Sequence, residues 1–300
     1  MEEKMQEIIY LEKPNLNKPY LIIGFEGWPN AGEVSSFALR HLVDRFGAKP
    51  FASIPTENFY QISSLRPMAI IREGRLIELK SSGNHFYYVK GAPSDDLILF
   101  YGVEPHLRWN VFAEIILDLA ERFHVQQLFT VGGTYDYIPH TLPPMVSALF
   151  NDEALREKVI QAGLGLTEYS GPISIHTFIL DAAKKRGLKA ISLWGHAPHY
   201  LQTRNVKVVC SVLKRLMDLT TIEIDLSEIE KAGDYFDQQV NHLVEEDPKL
   251  KEVISKLEEV YKRAEKIPWP PGREEGVKED KVVYIQAFLK RLEDEEKKEE

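Results

Sequence analysis

The sequence predicts an α/β fold in which a mostly parallel sheet is flanked by helices. Two short apolar runs, at residues 20–25 and 95–102, are typical of strands that are buried on both faces. Each run ends at glycine and is followed by a helical pattern, over residues 31–46 in the first case and up to residue 123 in the second. Strands that alternate with helices form parallel sheets with right-handed crossovers.

The remaining elements are predicted from the same kinds of pattern. Apolar runs on both sides of Glu73-Gly74 predict a β-hairpin, inserted with a further antiparallel strand beside the main sheet. Residues 135–144 are too rich in proline for a helix. The further strands are predicted at residues 7–11, 50–54, 68–72, 75–79, 84–89, 126–134 and 189–195, and the further helices at residues 152–162, 174–185 and 203–219.

A charged C-terminal region follows the α/β core, which we place at residues 1–222. Residues 225–266 predict one or two amphipathic helices with a break at Asp247-Pro248, so residues 223–266 form a helical extension packed on the core. Residues 267–300 predict a stiff proline-rich linker and a charged tail helix. Solvated helices that bury one apolar stripe explain both segments, and a partner-binding role is the alternative.

The charge and composition of the chain argue against two classes of function. A formal net charge of −9 and a pI near 5.6 are unfavourable for holding nucleic acid through phosphate contacts. No apolar run is long enough to span a bilayer, and the polar, acidic start of the chain is unlike a signal peptide. The single cysteine, Cys210, lies in an apolar helical pattern, which suits a core thiol. We therefore expect a cytoplasmic protein that binds neither nucleic acid nor a membrane.

Polar and aromatic side chains follow four of the predicted buried strands, at residues 26–30, 104–109, 132–134 and 196–200. Because ligands gather at the carboxyl ends of parallel strands, we expect these loops to converge on one edge of the sheet. The candidate residues for a ligand site or an interface at this edge are Glu26, Gly27, Trp28, Asn30, Gly32, Glu104, Arg108, Trp109, Gly132, Gly133, Thr134, His140, His196 and His199.

The chemistry of this edge has more than one interpretation. The glycine-rich turn at residues 24–32 and the helix after it could bind an anion through unpaired N–H groups, although a tight turn alone also requires glycine. Arg108 could bind the oxygens of a phosphate or carboxylate, or it could pair with Glu104 and cap a helix. Three tryptophans near the edge could line a pocket or an oligomer interface: Trp28, Trp109 and Trp194.

No sequence motif identifies a catalytic centre. The turn is not the G-x-G-x-x-G fingerprint, no G-x-x-x-x-G-K-[ST] loop occurs, and no G-x-S-x-G elbow supports a Ser/His/Asp triad. His196 and His199, with Glu104 or His140, offer nitrogen and oxygen ligands for zinc. A proline-containing H-x-x-H loop does not fix both rings on one side, however. We therefore predict no metal, no cofactor and no catalytic residue.

Several stretches of the chain carry a family resemblance. They are residues 27–33 (GWPNAGE), 102–109 (GVEPHLRW), 132–133 with 139–141 (PHT), 169–172 (YSGP) and 193–200 (LWGHAPHY). In this order they resemble the PAC2 family, which is named for a proteasome assembly chaperone. The resemblance extends over residues 20–266 and includes the helical extension that longer prokaryotic members carry.

The resemblance implies a phosphorylase/hydrolase-like fold, similar to that of purine nucleoside phosphorylases and peptidyl-type hydrolases. It also implies self-association and a role like that of the eukaryotic members, which chaperone assembly of the proteasome α-ring. Some archaeal relatives bind proteasome cores through a C-terminal hydrophobic–Tyr–any tail. This sequence ends in Lys298-Glu299-Glu300 and has that pattern only internally, at Val283-Tyr284-Ile285, so we expect no docking through such a tail.

The sequence thus favours a non-catalytic, oligomeric PAC2-type protein that assists assembly or binds a protein partner, related to the proteasome by resemblance. The alternative is a small-molecule enzyme or binder that uses the carboxyl ends of the strands. It would be phosphorylase-like, or an ATP-dependent carboxylate–amine ligase, the label often given to relatives. An open polar pocket at the strand ends would favour the enzyme, and an edge filled by tryptophans and neighbouring chains would favour the assembly protein.

Overall fold

The computed structural model describes residues 8–80, 82–92 and 95–264. The strands are β1 (Ile9–Tyr10), β2 (Tyr20–Glu26), β3 (Lys49–Ile54), β4 (Met68–Arg72), β5 (Arg75–Lys80), β6 (Asn84–Ala92), β7 (Asp95–Val103), β8 (Gln127–Asp136), β9 (Val146–Phe150), β10 (Gly165–Leu166) and β11 (Ala190–Pro198). The helices are α1 (Val34–Arg45), α2 (Trp109–Arg122), α3 (Arg156–Gln161), α4 (Ile175–Lys185), α5 (Val206–Leu219), α6 (Ser227–Glu246) and α7 (Pro248–Ala264).

In the described part of the chain, nine strands form one sheet in the order β1-β3-β6-β7-β2-β8-β11-β9-β10. Its four central strands, β7, β2, β8 and β11, run parallel to one another. Antiparallel neighbours flank this centre on both sides, with β6 beside β7 and β9 beside β11. The parallel centre confirms the predicted α/β class, and the antiparallel strands make the whole sheet mixed.

Helices cover both faces of the sheet with apolar side chains. α1 and α5 cover one face, where Leu39 and Ile22 belong to the same buried cluster. α2 and α4 cover the other face, where Phe112 and Phe25 are fully buried. α1 approaches β2 so closely that a Cβ on Gly24 would lie 2.5 Å from the Leu39 side chain. This contact fixes the helix over the strand whose end begins the candidate site.

Most predicted elements are present with small shifts of their ends. The region predicted as one or two amphipathic helices within residues 225–266 contains two, α6 and α7, which are separated at Asp247. The helix predicted from residue 31 begins as a 3₁₀ turn at Ala31–Glu33. β9 is absent from the prediction, because its five residues follow two prolines and include Ser147 and Ala148, for which strand signals are weak. The predicted linker and tail helix lie outside the described residues.

The predicted hairpin region divides into two parts. β6 joins the main sheet between β3 and β7, whereas β4 and β5 pair with each other in a separate two-stranded sheet. Every residue of β5 is exposed, and in β4 only Ile70 is partly covered. We call residues 68–80 the arm. It leaves the body of the protein between the neighbouring strands β3 and β6.

The described helices include none that is long and apolar enough to cross a membrane.

Candidate functional site

Four parallel strands bring the predicted loops to one edge of the sheet. The neighbours β7, β2, β8 and β11 end at Val103, Glu26, Asp136 and Pro198, respectively. The candidate residues that follow these ends therefore lie along a common edge. Glu26 itself accepts a hydrogen bond from Tyr101 of the adjacent strand.

The glycine-rich turn after β2 is closed by its own chain. Gly27 has a φ of +106°, a conformation that favours glycine. Oδ1 of Asn30 accepts from the Ser36 N–H at 2.9 Å, and Nδ2 of Asn30 donates to Ser36 Oγ at 3.0 Å. The Gly133 N–H donates to the Pro29 carbonyl at 2.8 Å. Asn30 and Pro29 therefore tie the turn to α1 and β8, and the N–H groups of Trp28 and Glu33 donate to Glu104 and to the Asn30 carbonyl.

Gly32 and Gly133 permit backbone contacts that a side chain would block. A Cβ on Gly133 would lie 2.3 Å from the carbonyl oxygen of Ala31. Gly32 has a φ of +60°, and its carbonyl accepts a hydrogen bond from the Asn205 N–H at 2.9 Å. The start of α1 is thereby held against β8 on one side and against the start of α5 on the other.

Glu104 connects the turn after β2 to the start of α4. One carboxylate oxygen accepts from the Ile175 N–H at 2.9 Å and the other from the Trp28 N–H at 3.3 Å. Burial raises the pKa of Glu104 above its ordinary value, and these two hydrogen bonds oppose that rise. A carboxylate at the first residue of a helix also interacts favourably with the helix dipole. Glu104 is thus occupied by the protein's own N–H groups.

Arg108 and Trp109 begin α2 and make contacts other than the predicted ones. Arg108 has a φ of +56°, is exposed, and places its guanidinium 5.6 Å from the centre of the Phe59 ring. Arg108 is the N-cap residue of α2 but makes no side-chain cap hydrogen bond, and within the described residues no ion pair joins it to Glu104. Trp109 is half-buried, and its ring meets the Phe178 ring edge-on at 5.8 Å.

Three side chains that are distant in sequence form a chain of hydrogen bonds between β8, β11 and β9. Nδ1 of His196 lies 2.9 Å from an Asp136 carboxylate oxygen, and Nε2 lies 2.9 Å from Ser147 Oγ. Thr167 donates to the same Ser147 oxygen at 3.1 Å. Burial raises the pKa of Asp136, but the hydrogen bond and charge of His196 outweigh it and hold the pKa below its ordinary value. An ionised Asp136 only accepts, so His196 Nδ1 carries the proton that it donates.

This connectivity is that of an Asp–His–Ser triad, although its setting is structural. Ser147 is only 7% exposed and belongs to β9, which pairs with β11 on one side and β10 on the other. The crevice that His196 lines holds about 10 Å³, which is room for one water molecule. No sequence pattern indicated Asp136 or Ser147, because the β8–β11 register brings Asp136 to His196 and the β9–β11 register brings Ser147 there.

His140 connects α6 to the same edge of the sheet through hydrogen bonds. It is 4% exposed; Nδ1 lies 2.8 Å from the Tyr200 hydroxyl, and Nε2 lies 3.2 Å from Asn241 Oδ1 on α6. Its carbonyl accepts a hydrogen bond from Lys207 Nζ, which also pairs with Asp237 of α6 at 2.6 Å. Burial lowers the pKa of His140, so the neutral ring that donates to Asn241 is the stable form.

His199 does not share the surroundings of His196. Its backbone N–H donates to the Asp136 carbonyl at 2.9 Å, and its ring contacts the Tyr137 ring at a tilt of 39°, with centroids 4.2 Å apart. Burial lowers its pKa. Thr134 lies opposite His196 in the β8–β11 register. In the described part of the chain no three His, Cys, Asp or Glu side chains are arranged to hold a metal ion, so the zinc interpretation has no geometric support.

A fully buried histidine that the sequence analysis missed lies behind this edge. His176, in the first turn of α4, packs between Phe25 and Trp194 with ring centroids 5.5 and 5.4 Å away. A Cβ on Gly132 would lie 3.1 Å from its Nδ1. Among the described residues, neither ring nitrogen of His176 nor the neighbouring Trp194 Nε1 has a hydrogen-bond partner. Burial lowers the pKa of His176 to about 3, so the ring is neutral. In the sequence, this histidine is one position in an apolar helical pattern.

The outer surface of the edge is apolar. Around the bonded polar groups, the loops present large apolar side chains that are 43–62% exposed. Trp28 follows β2, Leu107 follows β7, Tyr135 is near the end of β8, and Ile173 lies two residues before the α4 residue bound by Glu104. We call this surface the strand-edge rim; its residues are Trp28, Leu107, Tyr135 and Ile173.

The structure is that of an α/β protein in which polar side chains at the strand ends are hydrogen-bonded within the chain and apolar side chains are exposed around them. The PAC2 family model matches residues 24–244, which is most of the chain. The chain belongs to the PAC2 family, as the sequence motifs indicate.

Solved structures similar to this chain include a proteasome-assembly chaperone homologue from Mycobacterium tuberculosis. It is 28% identical, with a TM-score of 0.72 over 78% of this chain and 99% of that chain. A PAC2 family protein from Streptomyces avermitilis is 29% identical, with a TM-score of 0.71 over 79% of this chain and 99% of that chain. PbaB, an archaeal proteasome activator from Pyrococcus furiosus, shares the fold at 22% identity and a TM-score of 0.64, over 79% of this chain and 97% of that chain. No curated protein matches the sequence.

Proposed function

We propose that this chain is a non-catalytic, oligomeric protein of the assembly-chaperone type, which binds a protein partner through the strand-edge rim. The observation that carries this proposal is the state of the edge: Glu104, His196 and Ser147 are hydrogen-bonded within the chain, and the surface around them is apolar and exposed. Exposed apolar surface rimmed by polar residues is typical of protein-binding sites. The anchoring side chains, Trp28 and Tyr135, are of the types that dominate binding energy at interfaces.

The class of partner comes from the relatives. One similar structure is a proteasome-assembly chaperone homologue, and a more distant one is an archaeal proteasome activator. Proteasome α-subunits are therefore the first partner to test. The buried single cysteine and the absence of a membrane-spanning helix among the described residues are consistent with our proposal that it acts in the cytoplasm.

The test combines the purified chain with purified proteasome α-subunits of the same organism in analytical ultracentrifugation. We expect a complex that is weakened about tenfold or more by Trp28→Ala or Tyr135→Ala. Ile160→Ala is the matched control, since Ile160 is 47% exposed but belongs to α3, which follows β9 at the opposite edge of the sheet. No complex with α-subunits contradicts the proposed partner class, and a complex unaffected by both rim variants contradicts the proposed surface.

One observation favours a second candidate function, an acyl hydrolase. Asp136, His196 and Ser147 have the connectivity in which His196 Nε2 takes the Ser147 hydroxyl proton as Oγ attacks an acyl carbon. His196 then returns the proton to the leaving group, and water releases the acyl group. The test is hydrolysis of p-nitrophenyl acetate. A saturable rate that is lost in Ser147→Ala and His196→Ala, but kept in Ser170→Ala on the exposed loop, would establish it, and no such rate would exclude it.

A further inference from the structure

We propose that the arm of one copy of this chain docks on the outer face of α6 in a second copy. The inference rests on the oligomeric part of the proposed function and gives it an interface. It does not involve the strand-edge rim, so its failure and the failure of partner binding are separate outcomes.

The arm exposes large apolar side chains that the described part of its own chain does not bury. Within the described residues, β4 and β5 pair only with each other. Their large apolar side chains are exposed by 46–74%, on both faces of the hairpin. A lone two-stranded hairpin is at best marginally stable in water and needs an apolar surface to pack against. The exposed residues are Met68, Ile71, Leu76, Ile77 and Leu79.

The arm is also basic within an acidic chain. The arm contains three cationic and two anionic side chains, whereas the whole chain has a net charge of −9. Glu78 pairs with Lys80 inside the arm at 3.4 Å. Arg72 and Arg75 flank the turn at its tip, opposite each other in the β4–β5 register. A complementary seat therefore combines apolar side chains with carboxylates.

α6 has this combination on its outer face. The helix contains six carboxylates and one lysine. Two of the six, Glu230 and Asp237, pair with lysines of α5, and Glu246 lies 3.5 Å from His242 of the same helix. Tyr235 is 63% exposed and Leu243 is 58% exposed. Glu228, Tyr235 and Glu246 are spaced so that they fall on the same side of the helix. The buried residues of α6 form a narrow stripe on the other side, toward α5: Ile229, Gly233 and Val240.

The arm and α6 are connected to different parts of the main sheet. The arm leaves beside β6, whereas α6 packs on α5, which lies against β11. Three strands, β7, β2 and β8, separate β6 from β11. Each copy thus supplies both halves of the contact. Reciprocal docking gives a closed pair, and docking in one direction gives a ring, so the mass of the assembly distinguishes the two.

The test is charge reversal followed by charge restoration, read as the mass and the association constant of the full chain by sedimentation equilibrium. The arm variant is Arg72→Glu with Arg75→Glu, the helix variant is Glu228→Lys with Glu246→Lys, and a third protein combines all four changes. Ile160→Ser is the matched control for an exposed apolar residue outside both surfaces. The measurements are made at low and at high sodium chloride.

We expect the wild type to self-associate, and each reversal to lower the association constant about tenfold or more at low salt. The combined variant should return to within about threefold of the wild type, and high salt should weaken the wild-type assembly. A monomeric wild type overturns the proposal. An association constant that is unchanged in the arm variant also overturns it. So does an association constant that falls in the arm variant but not in the helix variant, because the arm would then dock on another surface.

Discussion

The strand edge and the arm differ in whether their side chains have partners within the chain. At the edge, Glu104, His196 and Ser147 are hydrogen-bonded within the chain, and exposed apolar side chains form the outer rim. In the arm, apolar side chains on both faces of the hairpin are exposed to solvent. Polar groups that are hydrogen-bonded inside the chain stabilise the fold, whereas exposed apolar surface is typical of a site that binds another molecule. Changes at the edge should therefore alter stability, and changes in the arm should alter association.

The largest expected effect comes from acid acting on the buried His176. Its pKa is about 3 in the folded protein and about 6.5 when unfolded, so the unfolded state binds the proton more readily. Its contribution to stability is full above pH 6.5 and is lost as the pH falls from there toward 3, by about 5 kcal/mol at most. The measurement is the free energy of urea unfolding against pH.

The His176→Leu variant isolates this contribution from that of other groups. Leucine fills a similar volume and does not titrate, so the difference in unfolding free energy between the two proteins should change between pH 6.5 and pH 3. A difference that stays constant with pH would show that the His176 ring reaches water or a partner in the folded protein.

The next largest effect is expected at the close approach of β8 to the start of α1. Gly133→Ala should lower the unfolding free energy by about 2–4 kcal/mol, because its Cβ would overlap the Ala31 carbonyl at 2.3 Å. Gly233→Ala is the control: its Cβ would have no neighbour closer than 3.7 Å, and alanine favours the helix by up to about 1 kcal/mol. Equal stability of the two variants would contradict the tight packing at the edge.

A smaller effect is expected for the carboxylate that joins the β2 turn to α4. Glu104→Ala leaves the N–H groups of Ile175 and Trp28 without acceptors and should destabilise the protein by about 1–3 kcal/mol. Glu104→Gln keeps one acceptor oxygen and should lose less. Thermal and urea unfolding would measure both, and an alanine variant as stable as the glutamine variant would show that these hydrogen bonds contribute little.

The smallest effect on stability is expected in the arm. Leu76 is already 58% exposed, so Leu76→Ser should change the unfolding free energy of the monomer by less than about 0.5 kcal/mol. Unfolding would be followed at a concentration below that at which the protein self-associates. A loss of more than about 1 kcal/mol would mean that the arm packs on its own chain, which would remove the contrast with the edge.

Local patterns in the sequence were sufficient for most elements, and long-range contacts were not. The strand–turn–helix unit at Gly27, the hairpin turn at Glu73-Gly74 and the break at Asp247 each depend on neighbouring residues, and all three are present. The separation of the arm from the main sheet was not predictable, because a strand pattern does not specify which strand it pairs with.

The candidate site shows the same limit. The sequence indicated which loops follow the central strands, but not which side chains bond to which. The Asp136–His196–Ser147 chain depends on the register of β9, a strand that was not predicted. Arg108 was judged by its charge, and the left-handed backbone that places it over Phe59 has no sequence signal in a non-glycine residue.

The single cysteine makes it practical to measure whether the arm contacts another molecule. Cys210 is buried in α5, and burial raises the pKa of its thiol, so it reacts slowly with maleimides at neutral pH. A cysteine introduced at an exposed position, such as Arg75→Cys at the tip of the arm, is then the one reactive thiol in the described chain. A fluorophore attached there would report in real time whether the arm is free in solution or seated on another molecule.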